Sequence, residues 1–340
     1  MRTIRPYANR ACMTLLITAA LAASLAGCGK APPQQAGKPT VFVSVLPQAH
    51  FVEKVAGARV RVEVLVQPGQ SPHTFTPTTD QMARLGESRL YLRIGVEFEK
   101  RVVGKIRSTH PDLRIVDTRE GIELRTMTGG KHDQPEHEHD AHVEEHAEEH
   151  AEHEHAAHDT DEHHHASGEP DPHVWLNPRN VKIMAGHIAE ALKELDPAHA
   201  EEYERNAEAF QRELDDADAR VAAALAPLRG KEFMVFHPAF GYFADAYGLT
   251  QFPVEIEGKN PDAKSLANLI RTAKDKDIRV IFVQPQFSPK RAEAIAEEIG
   301  GAVVPMDPLA RDYIANLLDM AAKIESALGS RPEPRDATAP

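Results

Sequence analysis

Four residues have the types and settings that could do chemistry: His73 in Ser71-Pro72-His73, His173 in Asp171-Pro172-His173-Val174-Trp175, His237 before Pro238, and Asp307 before Pro308. Each falls at or just past the end of a predicted strand. Taken singly, each has an ordinary structural reading: a histidine beside a proline is a satisfied loop residue, and Asp307 caps the segment that follows it. Together, three imidazoles and one carboxylate make a full tetrahedral set for a borderline divalent ion such as zinc.

The elements that must position them are legible as alternating patterns. Short β-branched runs at 40–46, 60–66, 89–94 and 113–117 alternate with helical periodicity starting near Gln48, Thr78 and Val96. A helix is predicted from Pro178 to about Asp196, with its proline in the first turn. A longer one follows over 198–226, where Tyr203, Ala207, Phe210, Leu214, Ala217, Val221 and Leu225 recur at steps of three and four. It is on the order of 40 Å long, more than one lobe needs. Strands are then predicted at 233–237, 252–256, 280–284 and 302–306, with helical stretches near Gly241, Asp262 and Pro289. The expected fold class is α/β: two lobes, each with a mostly parallel four-stranded sheet, joined by a long rigid helix, with a ligand in the cleft at the carboxyl ends of the strands.

Composition limits the function classes. The chain has 340 residues, 41% of them hydrophobic, and a formal charge of −13, which gives no support to nucleic-acid binding. Between Lys131 and Ala166 there are 13 acidic residues against one lysine, so the remainder is close to neutral. The same stretch holds 12 of the 19 histidines. Both cysteines, Cys12 and Cys28, lie near the start, which leaves the body no Cys-based zinc site or disulfide. Arg2, Arg5 and Arg10 followed by the apolar run 11–26 read as a secretory signal, and Leu25-Ala26-Gly27-Cys28 resembles a bacterial lipobox with Cys28 as the lipidated residue. The predicted organisation is a signal peptide (1–27), a tether (28–39), an N-terminal metal-binding lobe (40–177) interrupted by a disordered His/acid-rich insert (126–168), a helical connector (178–227), a C-terminal metal-binding lobe (228–330) and a tail (331–340).

Five blocks carry a family resemblance: Gly69-Gln70-Ser71-Pro72-His73, Asp171-Pro172-His173-Val174-Trp175-Leu176-Asn177-Pro178, Phe236-His237-Pro238-Ala239-Phe240-Gly241-Tyr242-Phe243, Phe282-Val283-Gln284-Pro285-Gln286-Phe287, and Met306-Asp307-Pro308-Leu309. In this order the chain resembles the zinc-binding solute-binding lipoproteins of ABC importers, the ZnuA-like or TroA-like group of the zinc/manganese cluster. The resemblance implies Zn2+ as the transported ligand, held by His73, His173, His237 and Asp307, although in some relatives the fourth position is water or a different carboxylate. It implies a membrane permease and its cytoplasmic ATPase as partners, no catalysis, and a monomer exported to the periplasm or cell surface and anchored to the membrane through Cys28. Manganese-selective relatives tend to carry a carboxylate where this chain has His237, so the alternative of manganese or iron delivery is disfavoured by ligand softness. A zinc-dependent hydrolase is the alternative from another class. It would keep an open coordination position, and no His-Glu-x-x-His motif is present.

Phe240, Tyr242, Phe243, Phe282 and Phe287 are expected in the core, Trp175 beneath the site, and Glu255 and Glu257 at a solvated edge. Within the insert, His146, His150, His153, His155, His163, His164 and His165 are spaced so that a polar chain can gather a metal ion with two or three imidazoles. These auxiliary sites should be weak and acid-labile, because a histidine of ordinary pKa ~6.5 cannot ligate once protonated. Calorimetry of the intact chain and of one lacking 131–166, at neutral and mildly acid pH, should show extra weak zinc sites only in the intact protein at neutral pH. One identical site in both would reduce the insert to a spacer.

Overall fold

The structure, a computed structural model, describes residues 37–127, 168, 170–255 and 259–329. Cys28 and all the insert histidines named above lie outside the described residues. From Pro39 onward the chain forms one compact unit. Its first half holds strands β1 (Thr40–Val43), β2 (Arg61–Val64), β3 (Leu90–Arg93) and β4 (Arg114–Asp117), alternating with helices α1 (Leu46–Ala56), α2 (Thr79–Glu87) and α3 (Glu99–Thr109). Two helices follow, α4 (Pro178–Leu195) and α5 (Ala200–Leu225). The second half holds β5 (Glu232–Val235), α6 (Gly241–Tyr247), β6 (Thr250–Pro253), α7 (Ala263–Asp275), β7 (Val280–Val283), α8 (Pro289–Glu298), β8 (Ala302–Pro305) and α9 (Tyr313–Gly329).

The two sheets have the same topology, β2-β1-β3-β4 and β6-β5-β7-β8, and every pairing is parallel. The expected α/β fold with two four-stranded sheets therefore holds, and the sheets are wholly parallel. In such a sheet the connections diverge between the two central strands, which opens a crevice at the carboxyl ends. β1 stops at Val43 because α1 begins at Leu46, inside its apolar run. Leu46 and Pro47 open α1, where a proline costs no hydrogen bond. Side-chain caps fix other starts: Thr78 Oγ1 accepts from Gln81 N at 3.1 Å while Gln81 answers onto Thr78 N, and Asn177 Oδ1 accepts from Arg179 N at 3.0 Å.

The seven residues at steps of three and four on α5 are its buried residues. At 26 residues and about 1.5 Å each, α5 spans about 39 Å. It packs against α4 and α1 on the first-lobe side and against α9 on the second-lobe side. The C-terminal helix α9 was not among the expected elements, although it completes this layer: Tyr313 meets Phe51 edge-on at 4.9 Å, and Phe51 lies 5.9 Å from Phe210 of α5. One hydrophobic cluster consequently runs from Val41 and Phe42 through Phe51, Phe210 and Leu214 to Phe233, Phe243 and Tyr313. A smaller cluster, with Met234, Phe252 and Leu269, covers the other face of the second sheet. Alternate residues of β5 serve the two clusters, as strand geometry requires.

Because the larger cluster crosses between the lobes, they should unfold together. Phe210→Ala removes a side chain that is 1% exposed and should cost about 3–5 kcal/mol while leaving a single denaturant transition, measured by circular dichroism and Trp175 fluorescence. Two separate transitions would show that the lobes hold themselves up independently.

Candidate metal centre

Three of the four candidates follow the carboxyl end of a strand; His173, contrary to the expectation, does not. His73 lies in the loop after β2, His237 in the turn after β5, and Asp307 just past β8; His173 precedes the single turn Val174–Leu176 that leads into α4. The structure brings three of them together. One ring nitrogen from each of His73, His173 and His237 lies within 4.8 Å of the others, and His73 Nε2 is 3.1 Å from His237 Nε2. Ring centroids are 4.7–5.5 Å apart. Asp307 is not in that group: its Oδ1 accepts from Gln286 Nε2 at 3.1 Å and from Leu309 N at 2.9 Å. His173 and His237 are each 4% exposed. The recess they line with His73, Trp175, Gln284 and Phe287 encloses about 20 Å³, room for one ion or one water.

Each imidazole has a carboxylate behind it. Asp171 Oδ1 lies 2.8 Å from His173 Nδ1, Glu255 Oε2 lies 2.7 Å from His237 Nδ1, and Glu97 Oε2 lies 3.5 Å from His73 Nδ1. At His173 and His237 the carboxylate is within hydrogen-bond reach of Nδ1, where it holds the proton and turns the Nε2 lone pair to the centre; Glu97 stands at ion-pair distance from His73. Burial alone would raise the Asp171 carboxyl, but the His173 ring and the Arg125 guanidinium outweigh it and hold its pKa below the usual range. Glu97 sits in a loop fixed from inside. The Glu99 carboxylate, 1% exposed, accepts from Ile94 N at 2.8 Å, Gly95 N at 2.7 Å and Ser44 Oγ; burial raises its pKa despite these bonds.

Three imidazole nitrogens this close together could hold a metal ion. A tetrahedral zinc with bonds of about 2.0–2.1 Å needs its nitrogens about 3.3 Å apart. The chain matches the model of one protein family, the zinc-uptake complex component A, periplasmic, over residues 41–327. It belongs to that family. It is 29% identical over 280 residues to the zinc-binding protein AdcA of Streptococcus pyogenes serotype M3, a match covering 80% of this chain and 51% of the relative. It is 38% identical over 145 residues to the high-affinity zinc uptake system protein ZnuA of Brucella abortus, covering 42% of this chain and 43% of that protein. The chain thus spans about half the length, or less, of these curated relatives. Among solved structures, a zinc-bound deletion mutant of ZnuA superposes with a TM-score of 0.73 at 36% identity, covering 86% of this chain and 99% of that one.

Some expectations for the surroundings need correction. Glu255 is not at a solvated edge; it is 5% exposed and bonded to His237. Phe287 is half-buried: it packs against the smaller cluster and stacks on the His237 ring, 5.1 Å away at 23°. Glu257 lies outside the described residues. Trp175 is fully buried 5.5 Å from the His173 ring and donates to Pro308 O at 2.8 Å. Asp171, Glu97 and Gln284 were not singled out in the sequence, though Asp171 and Gln284 stand inside the quoted blocks. Gln284, 1% exposed, grips the His237 backbone from both sides, accepting from its N–H at 3.3 Å and donating to its carbonyl at 2.8 Å. Gln284→Ala strands two buried backbone groups and should cost about 2–4 kcal/mol in chemical denaturation. A change under about 0.5 kcal/mol would show that water or a shifted loop replaces the grip.

Proposed function

We propose that this protein captures Zn2+ outside the cytoplasm between its two lobes and hands it to the membrane permease of an ABC importer, with no catalysis of its own. The observation that carries this reading is the convergence of three imidazoles, each with a carboxylate behind it, His73 and His237 from loops after strands of the two lobes and His173 from the turn that leads into the helical layer. The names of its relatives, a zinc-binding protein and a zinc-uptake component, point the same way.

The chemistry is ligand exchange. Hydrated zinc gives up water to the three Nε2 atoms. Asp307 is the proposed fourth donor; with Oδ1 held by Gln286 and Leu309, donation falls to Oδ2. Imidazole is a softer donor than carboxylate or water, which favours zinc over manganese. With Asp307 as fourth donor the coordination sphere closes and leaves no open position for a hydrolytic water, so hydrolysis is disfavoured. Export, lipidation at Cys28 and work as a monomer complete the proposal, and the insert histidines serve as weak collecting sites beside the main one.

The intact protein should hold one tightly bound zinc, measured by competition with a chromophoric chelator. His173→Ala should weaken it by orders of magnitude, and Asp307→Ala by less. Zinc should raise the melting temperature more than manganese at equal concentration. Unchanged affinity in His73→Ala, His173→Ala and His237→Ala alike would remove the assignment; a larger shift with manganese would favour that metal, and steady turnover lost in His173→Ala would revive a hydrolase.

A further inference from the structure

Arg125 stands between two carboxylates that belong to different parts of the molecule. Its Nη1 is 2.7 Å from Asp171 Oδ2 and its Nε is 2.9 Å from Asp245 Oδ2. Its main chain is tied to both sides as well: Arg125 N donates to Tyr242 Oη at 3.0 Å, and Arg125 O accepts from Asp171 N at 2.8 Å. Tyr242 and Asp245 both sit on α6, the second-lobe helix four residues beyond His237. Asp171 is completely buried, and its other oxygen holds both the N–H and the Nδ1 of His173 at 3.0 and 2.8 Å. The contacts form an unbroken line from Asp245 through Arg125 and Asp171 to His173.

The sequence keeps space for this line. A methyl group on Gly241, the first residue of α6, would lie 1.6 Å from Arg125 Nη1 and 2.9 Å from Asp171 Oδ2, so only glycine lets the guanidinium lie there. A buried carboxylate also needs a counter-charge. Arg125 supplies it and, by holding one Asp171 oxygen, aims the other at the imidazole.

We propose that Arg125 is a positioning residue that makes the grip of His173 on the metal depend on the seating of helix α6, so that shifting α6 loosens the ion without touching a ligand. The inference rests on the three histidines being the zinc site. Removing a partner behind a metal-ligating histidine typically costs 10–100-fold in affinity. This line therefore gives docking on a permease a mechanical handle on the ion.

The test measures zinc release from the intact protein after rapid mixing with excess chelator, alongside the melting temperature of the metal-free form. Arg125→Gln should release zinc about 10–100-fold faster, and Gly241→Ala, which leaves every charge in place, should act in the same direction. Asp245→Asn, at an exposed position remote from the ion, should speed release by a smaller factor. The Arg125→Gln/Asp245→Asn double variant should be no faster than Arg125→Gln alone, because one line is cut twice. Arg125→Lys should restore part of the slow release. The proposal is overturned by unchanged release in Arg125→Gln, by effects that simply add in the double variant, or by release that quickens only in step with a falling metal-free melting temperature. If Arg125→Gln does not fold, Asp245→Asn and Gly241→Ala decide alone: unchanged release in both overturns the proposal. His173→Ala separates the two levels. Unchanged zinc binding in that variant would sink the site itself, whereas its loss together with normal release in Arg125→Gln would sink only the linkage.

Discussion

The arrangement depends on the spacing of three nitrogens that do not share a local segment. His73 and His237 are 164 residues apart, yet their Nε2 atoms lie 3.1 Å from each other. A tetrahedral ion tolerates errors of only a few tenths of an ångström in such a set, so two sheets must be held in fixed register over their whole depth. The continuous apolar cluster on α5 and α9 does this. It is assembled from side chains of both halves, and close-packed interiors resist sliding because any shift opens voids or forces overlaps. The stiffness of the scaffold is thus a requirement of the coordination chemistry.

Electrostatics adds a second constraint at the same point. Three imidazoles with their lone pairs turned inward are a poor arrangement in the absence of a cation, and proximity alone would let the rings turn away. The carboxylates of Glu97, Asp171 and Glu255 oppose this from the far side of each ring. They also surround the recess with negative charge that a divalent ion offsets on arrival. Stacking of Phe287 on His237 and the edge of Trp175 toward His173 exclude water from two sides, which strengthens every charge interaction inside.

Much of this was legible from spacing. The buried face of α5 follows from its steps of three and four, and the strand–helix alternation gives both sheets because parallel pairing needs a crossover between successive strands. The five quoted blocks place all three converging histidines. Partners that depend on tertiary approach were less visible. Glu255 belongs to an apolar-and-acidic run that reads equally well as an edge, and only the passage of β6 beside β5 brings it to a ring 18 residues away. The spacing of Asp307 from the histidines is likewise a product of how its loop folds, with Leu309 N and Gln286 drawing one oxygen aside. For α9, the signal was present in Tyr313, Leu317, Met320, Ala321 and Ile324, a helical stripe that matches its buried face.

On the proposed function the site must bind tightly and still give up its ion, and the division of donors offers a way. His73 comes from the first lobe and His237 from the second, while His173 leads into the helical layer between them. Moving the lobes apart by one ångström would take at least one nitrogen beyond bonding distance, since metal–nitrogen bonds weaken steeply past about 2.1 Å. The apolar cluster opposes that motion, so release needs work done from outside. A second-lobe displacement that withdraws His237 carries Glu255 with it and, through α6 and Arg125, pulls on the Asp171 carboxylate that holds His173. The departing ion then faces two donors in place of three, and water can complete its coordination from the widened side. Stiffness and release are compatible on this account because the scaffold resists thermal opening, while a partner bound across both lobes can spend its own docking energy on a displacement that the free protein rarely makes.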